Sequence, residues 1–119
     1  MKLTQIADDG TLLHVRCEGP VSQAGLIPHS DLLAEVVGPA YAARKVLLDM
    51  ERSEFIDSGG VSWLIGYHKR FTAGGGVLVL YSIPPRIMQV LQILRMHLIF
   101  NVAANETSAR AVALGETGR

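Results

Sequence analysis

Cysteine is almost absent from this chain, since Cys17 is the only one among 119 residues. A single cysteine excludes an internal disulfide and suits the reducing cytosol. Cys17 lies in an apolar segment, where we expect it to be a small core residue. The sequence also lacks a signal-peptide pattern at its N-terminus and any apolar run of membrane-spanning length. These absences predict a cytoplasmic protein that has no membrane as its partner.

An excess of one charge is missing as well. Eleven basic and eleven acidic residues give a net charge of zero, and no basic run or alternation of basic and aromatic residues occurs. This pattern argues against nucleic acid as the main partner. The four histidines, at positions 14, 29, 68 and 97, form no spaced pair that could hold a metal ion. We therefore expect neither a metal site nor a cofactor.

The hydrophobic content of 49% and the charged content of 18% describe a globular chain, and the length suits one domain over residues 1–119. Apolar patterning predicts alternating strands and helices. The predicted strands are residues 3–7, 11–17, 44–50, 77–81 and 99–103. The predicted helices are residues 28–38, 58–73, a helix that begins at Pro84 and reaches Leu94, and 105–114. Ile65 and Leu94 are expected among their core residues. Alternation of this kind predicts an α/β fold with a mostly parallel sheet of four to five strands, an N-terminal antiparallel hairpin and about four helices.

Two glycine-rich segments need separate interpretation. Gly74-Gly75-Gly76 resembles a phosphate loop, but no Lys-Ser or Lys-Thr pair follows, so a helix C-cap turn is the better prediction. The second segment is Asp57-Ser58-Gly59-Gly60, which opens the predicted helix at 58. Two glycines suit a first helical turn poorly. They indicate that another part of the chain approaches the backbone closely, or that Ser58 must stay accessible.

Three interpretations of this second segment compete. The first is a helix N-cap without further function, since Asp and Ser are good N-cap residues. The second is a serine nucleophile, as in chymotrypsin-like proteases, but those enzymes are about twice as long and need a separate His and Asp. The hydrolase elbow Gly-x-Ser-x-Gly is also missing, because Ile56 stands at the position of its first glycine. The third is a phosphoacceptor serine, since a helix N-terminus favours a phosphate.

Taken together, the motifs resemble those of the STAS domain family, the bacterial anti-sigma-factor antagonists. The resemblance spans nearly the whole chain in element order and is sharpest from Lys45 to Phe100. Four segments carry it: the central strand Val46 to Asp49, the signature Phe55 to Val61, the glycine turn and strand Gly74 to Leu80, and the helix and strand from Pro85 to Leu91 and at Ile99-Phe100.

The resemblance implies a protein-interaction switch and no catalytic residue. The partner would be an anti-sigma factor with serine-kinase activity, whose capture frees a sigma factor. Phosphorylation of Ser58 would end docking, and a serine phosphatase would reset the switch. The residues expected to bind the partner are Asp57, Ser58, Gly59, Gly60, Trp63 and Tyr67. The alternative is a STAS-like ligand-binding or scaffold domain of a sensor or stress-signalling assembly.

The sequence departs from the family pattern in one loop. Many members carry a carboxylate after the second strand, whereas this chain has Gly19-Pro20-Val21-Ser22 there. Trp63 and Tyr67 are expected on a partly exposed helix face, as interface anchors or as cover for the sheet edge. Further outward-facing apolar residues are expected in the helix from Pro84 and after it, at Met88, Ile93 and Met96. Met88 and Met96 either cover the core or form a partner patch, and a weak homodimer is left open as a partner.

Overall fold

The computed structural model describes residues 1–24, 26 and 30–115 of the chain. The strands are β1 (Lys2–Asp8), β2 (Leu12–Val21), β3 (Lys45–Ile56), β4 (Val77–Tyr81) and β5 (Asn101–Ala103). The α-helices are α1 (Leu32–Val37), α2 (Ser58–Gly74), α3 (Pro85–Ile93) and α4 (Glu106–Ala113), and short 3-10 turns occur at Tyr41–Ala43 and Met96–Leu98. The element order agrees with the alternation predicted from the sequence.

The five strands form one sheet in the order β1-β2-β3-β4-β5. The pair β1 and β2 is antiparallel, and every other neighbouring pair is parallel. The predicted α/β fold with an N-terminal antiparallel hairpin is therefore confirmed. Because β2 to β5 run in the same direction, their carboxyl ends lie at one edge of the sheet, where such folds usually place their sites.

Both faces of the sheet are covered over β3 and β4. Val46 and Leu48 point into the main core, which also holds buried residues of α1, α2 and α3. Leu47 points the other way, into a smaller cluster with Ala109 and Ala113 of α4. The continuous apolar run in β3 thus reflects burial on two sides, as expected for a central parallel strand.

Strand β3 is longer than predicted. The predicted strand ended at Met50, but β3 continues to Ile56, and β2 pairs with it up to the match of Val21 with Ile56. Two register shifts interrupt that pairing, so the buried residues at the end of β3 are Met50, Ser53 and Ile56. Buried residues three positions apart do not show the two-residue alternation of a strand, so the sequence pattern did not predict this part of β3.

Three helix and strand ends also differ from the prediction. Helix α1 begins at Leu32, because the Asp31 side chain caps it by accepting a hydrogen bond from the backbone N of Ala34 at 3.2 Å. Residues 28 and 29 of the predicted helix lie outside the described residues. Leu94, expected in the core, is 47% exposed because α3 ends just before it, and β5 begins at Asn101 instead of residue 99.

Candidate functional site

The candidate site is the junction of β3 and α2, at the carboxyl edge of the sheet. Asp57 is the N-cap of α2, and its Oδ1 accepts a hydrogen bond from the backbone N of Gly60 at 2.7 Å. The Asp57 backbone N donates to the Val21 carbonyl at 3.3 Å, which ties the junction to the end of β2. Ser58 is the first residue of α2 and is exposed. The expected position of Ser58, accessible at a helix N-terminus, is therefore found.

Ser22 holds the second oxygen of the Asp57 carboxylate. The buried Ser22 hydroxyl donates to Asp57 Oδ2 at 2.6 Å and accepts from the backbone N of Ala24 at 3.1 Å. The hydrogen bonds from Ser22 and from the Gly60 amide keep the pKa of Asp57 below its usual value. Asp57 is thus a fixed, ionised neighbour of Ser58. The loop expected at Gly19-Pro20-Val21-Ser22 is wrong, because β2 continues through Val21 by pairing with β3, and only Ser22 follows the strand. The role of Ser22 as a hydrogen-bond donor was not predicted.

Gly59 and Gly60 occupy their positions in the junction for different structural reasons. A Cβ atom added to Gly60 would lie 1.9 Å from the Val21 carbonyl oxygen, so no side chain fits there. At Gly59 the nearest atom to such a Cβ would be Asp57 Oδ1 at 3.3 Å, and the Gly59 carbonyl accepts from the Gln23 side chain at 2.9 Å. Close backbone approach therefore explains Gly60, which is buried, whereas Gly59 is half-buried and open to contact.

Tyr67 does not lie on an exposed face, so that expectation is wrong. Its exposure is 3%, and it shares the buried stripe of α2 with Leu64 and Phe71. The Tyr67 hydroxyl donates to Asp31 Oδ1 at 2.5 Å and accepts from the Leu33 backbone N at 3.2 Å. These partners satisfy the polar end of the ring, which allows the rest of it to be buried. Ile65, expected in the core, is only half-buried.

Asp31 links α1 to α2 and was missed by sequence reasoning. Besides the bond from Tyr67, its carboxylate accepts from the Tyr41 hydroxyl at 2.9 Å and lies 3.4 Å from the Arg70 guanidinium. Partial burial raises the pKa of Asp31, but the hydrogen bonds from Tyr67, Ala34 N and Tyr41 outweigh it and leave the pKa lowered. The chain between β2 and α1 is therefore joined to α2 near both ends, at Ser22 and at Asp31.

Comparison with known proteins shows what this arrangement is. The STAS domain model matches residues 2–109. This chain belongs to the STAS domain family. No curated protein matches the sequence.

Solved structures show the same fold at low sequence identity. A candidate anti-sigma factor antagonist from Thermotoga maritima is 15% identical with a TM-score of 0.74, over 94% of both chains. A STAS anti-sigma-factor antagonist domain protein from Planctomyces limnophilus is 18% identical with a TM-score of 0.66, over 96% of this chain and 99% of the other. The anti-sigma factor antagonist SpoIIAA, in its unphosphorylated form, is 12% identical with a TM-score of 0.61, over 97% and 99%.

Trp63 of this STAS domain is half-buried, in agreement with the partial exposure predicted for it. Its ring packs edge-on against Tyr67, with the centroids 4.8 Å apart. Together with core residues such as Leu33 and Leu64, it lines an apolar cavity of about 10 Å³. A cavity of this size has room for roughly one water molecule. Trp63 is thus part core and part surface.

The histidine that shares α2 with Ser58 does not reach it. His68, on the same helix, lies ten residues further along, which corresponds to about 15 Å along the axis, and its ring packs against Phe100 at 5.8 Å. His68 therefore cannot serve as the base for a nucleophilic Ser58. The described residues contain no group of three or more His, Cys, Asp or Glu side chains that could hold a metal ion. In the described part of the chain, every helix is too short or too polar to span a membrane.

Near Ser58 in sequence, the end of β3 carries an exposed apolar side chain, that of Phe55. Phe55 is 45% exposed, lies three residues before Ser58, and stands between Glu54 and Asp57 in sequence. The Glu54 carbonyl receives a long hydrogen bond, 3.5 Å, from the Arg86 guanidinium of α3. The carboxyl edge of this STAS domain thus presents an aromatic ring, acidic side chains and an accessible serine together.

Proposed function

We propose that this STAS domain is an anti-sigma-factor antagonist whose docking is controlled by phosphorylation of Ser58. The observation that carries the proposal is an exposed serine at the first position of α2, next to an ionised Asp57. The partner is an anti-sigma factor with serine-kinase activity, and a serine phosphatase reverses the modification. The neighbours described as anti-sigma factor antagonists support this assignment through a shared fold.

The docking surface that we assign consists of Phe55, Asp57, Ser58, Gly59 and the exposed edge of Trp63. These residues lie at the end of β3 and in the first two turns of α2. Phe55 and Trp63 are large rings with exposed surface, and such rings are common interface anchors. Gly60 and Tyr67 act differently from our expectation: both are buried, and they contribute by positioning the start and the middle of α2.

Phosphorylation changes the charge of this docking surface and leaves helix α2, which carries it, in place. A phosphoserine adds about −1.5 to −2 charges next to Asp57, and a partner in close contact would have to strip water from that group. The first turn of α2 would tolerate the phosphate, because a helix N-terminus favours negative charge. Docking should therefore be lost while the fold remains intact.

Ser62 offers an internal control, since it is also exposed and lies one turn after Ser58 on the same helix. The experiment is mass spectrometry of the protein isolated from its own cells, with and without stress. We expect phosphate on Ser58 and none on Ser62. Absence of Ser58 phosphate under every growth and stress condition, together with equal partner affinity of Ser58→Ala and Ser58→Asp, would refute the proposal.

A further inference from the structure

The charges of this chain are segregated, although they sum to zero. Residues 58–105 contain no Asp or Glu, and their four charged side chains are Lys69, Arg70, Arg86 and Arg95. All eleven acidic residues lie before or after this segment. The segment comprises α2, β4, α3 and β5. This segment of the chain is therefore basic or neutral throughout, and an acidic partner is favoured where no acidic side chain of another segment lies beside it.

Four large aliphatic side chains are exposed within seven residues of this acid-free segment. Ile93 is 74% exposed, Leu94 47%, Leu98 71% and Ile99 50%. We call these four residues the aliphatic patch. They lie at the end of α3 and around the 3-10 turn at Met96–Leu98, just before β5. Single exposed aliphatic residues are common, but a local group of four indicates an interaction surface.

Arg95 stands in the middle of the aliphatic patch in a backbone conformation that favours glycine. Its φ and ψ are 59° and 23°, in the left-handed region. A residue that follows a helix in this conformation is usually Gly or Asn, because a Cβ atom is unfavourable there. Among the ion pairs of the described residues, none includes Arg95. Arg95 thus places a positive charge in the aliphatic patch, at a position where the backbone conformation favours glycine.

The aliphatic patch and Ser58 lie at opposite edges of the sheet. Helix α2 starts at the carboxyl end of β3, whereas α3 runs back from the carboxyl end of β4 to the start of β5. The end of α3 is therefore at the amino edge of the parallel strands. A partner on the aliphatic patch would leave the Ser58 surface accessible.

We propose that the aliphatic patch and Arg95 form a second docking surface, which binds an acidic amphipathic helix of a protein partner. Apolar positions of that helix would cover the four aliphatic side chains, and a carboxylate would pair with Arg95. A lipid surface fits less well, because anionic membranes attract groups of four or more Lys or Arg residues and the patch holds one. A two-fold contact with a second copy is disfavoured, since it would bring the patch's Arg95 close to its equivalent.

The probe is a helix-stapled, fluorescent peptide with Leu on one face and Glu on the other, titrated against the whole chain. We expect saturable binding that weakens as salt is raised, whereas the same peptide with Lys in place of Glu should bind at least about tenfold more weakly. Leu98→Asp and Ile93→Asp should each weaken binding of the acidic peptide by about tenfold or more. Ser58→Asp should leave it unchanged, because the charge lies at the other edge of the sheet.

Arg95 provides the decisive comparison. Arg95→Gly removes the charge and suits the left-handed backbone, so it should weaken acidic-peptide binding while the melting temperature stays the same or rises. Arg95→Lys should restore most of the binding. The proposal is overturned by absence of binding up to about 1 mM peptide, by equal binding of acidic and basic peptides, by stronger binding to phosphatidylglycerol vesicles, or by a dimer in sedimentation equilibrium that Leu98→Asp dissociates.

Discussion

Replacing Gly60 with alanine should destabilise the protein strongly, although alanine favours helices. The added Cβ would lie 1.9 Å from the Val21 carbonyl oxygen and 2.7 Å from its carbon. Both are backbone atoms of β2 and cannot rotate away, so the start of α2 must move. Overpacking of this kind costs about 1–3 kcal/mol or more. Loss of the hydrogen bond from Asp57 N to the Val21 carbonyl would add about 1 kcal/mol to this cost. The higher helix propensity of alanine would offset about 1 kcal/mol of it.

The expected net loss is therefore about 1–3 kcal/mol of unfolding free energy, measured by urea denaturation with the single tryptophan, Trp63, as the fluorescent probe. At a slope of about 1–3 kcal/mol per molar urea, the midpoint should fall by roughly 1 M. Gly66→Ala is the matched control, because a Cβ there meets no atom within 4 Å, and it should gain up to about 1 kcal/mol. Gly59→Ala should be close to neutral. Equal midpoints for Gly60→Ala and Gly66→Ala would show that α2 does not approach β2 as closely as described.

Three further predictions concern the switch and its support. Ser58→Asp should weaken binding to the cognate anti-sigma factor by about tenfold or more while Ser58→Ala retains it, and equal affinities in calorimetric titration would contradict the charge argument. The carboxylate of Asp31, whose pKa is lowered, should stabilise the fold above about pH 4 and lose that contribution as pH falls through its folded pKa. In urea denaturation at a series of pH values, Asp31→Asn should reduce the loss of unfolding free energy on acidification. The same loss in the variant and the parent would argue against the bonds from Tyr67 and Tyr41. Trp63→Ala should cost about 1–2 kcal/mol in thermal melts, because the ring is only half-buried, and it should reduce partner affinity in the same samples; a loss of stability without a loss of affinity would make Trp63 a core residue only.

Much of the fold could be predicted because its signals are local. The apolar run in β3 and the residues of β4 gave buried strands at the right places. The turn after α2 was also predictable: Gly75 takes the left-handed conformation with φ of 84°, which glycine adopts readily. Each of these features depends on residues close together in sequence, so pattern and propensity suffice to find them.

The errors fall where distant residues decide the structure. Tyr67 can be buried because Asp31, thirty-six residues earlier, accepts a hydrogen bond from its hydroxyl group. Ser22 acts on Asp57 across thirty-five residues. The end of β3 is a strand only because β2 pairs with it through two register shifts. Helical periodicity and strand alternation carry no information on such contacts. The residues that hold the β3–α2 junction in place could therefore not be found from one sequence, although the position of Ser58 at the start of a helix could.

The hydrogen bonds at the start of α2 indicate how a phosphate on Ser58 would act. Asp57 already accepts hydrogen bonds from two amides of the first turn: its Oδ1 binds the Gly60 amide at 2.7 Å, and its backbone carbonyl accepts from Val61 N at 3.0 Å. Ser22 engages the other carboxylate oxygen. A phosphate would therefore project toward solvent instead of replacing the cap, because displacing Asp57 would break several bonds at once. The modification would then alter the charge of one edge of the sheet and leave the packing of α2 in place, so a partner held at the opposite edge by Arg95 and the aliphatic patch would stay bound while the Ser58 surface is switched.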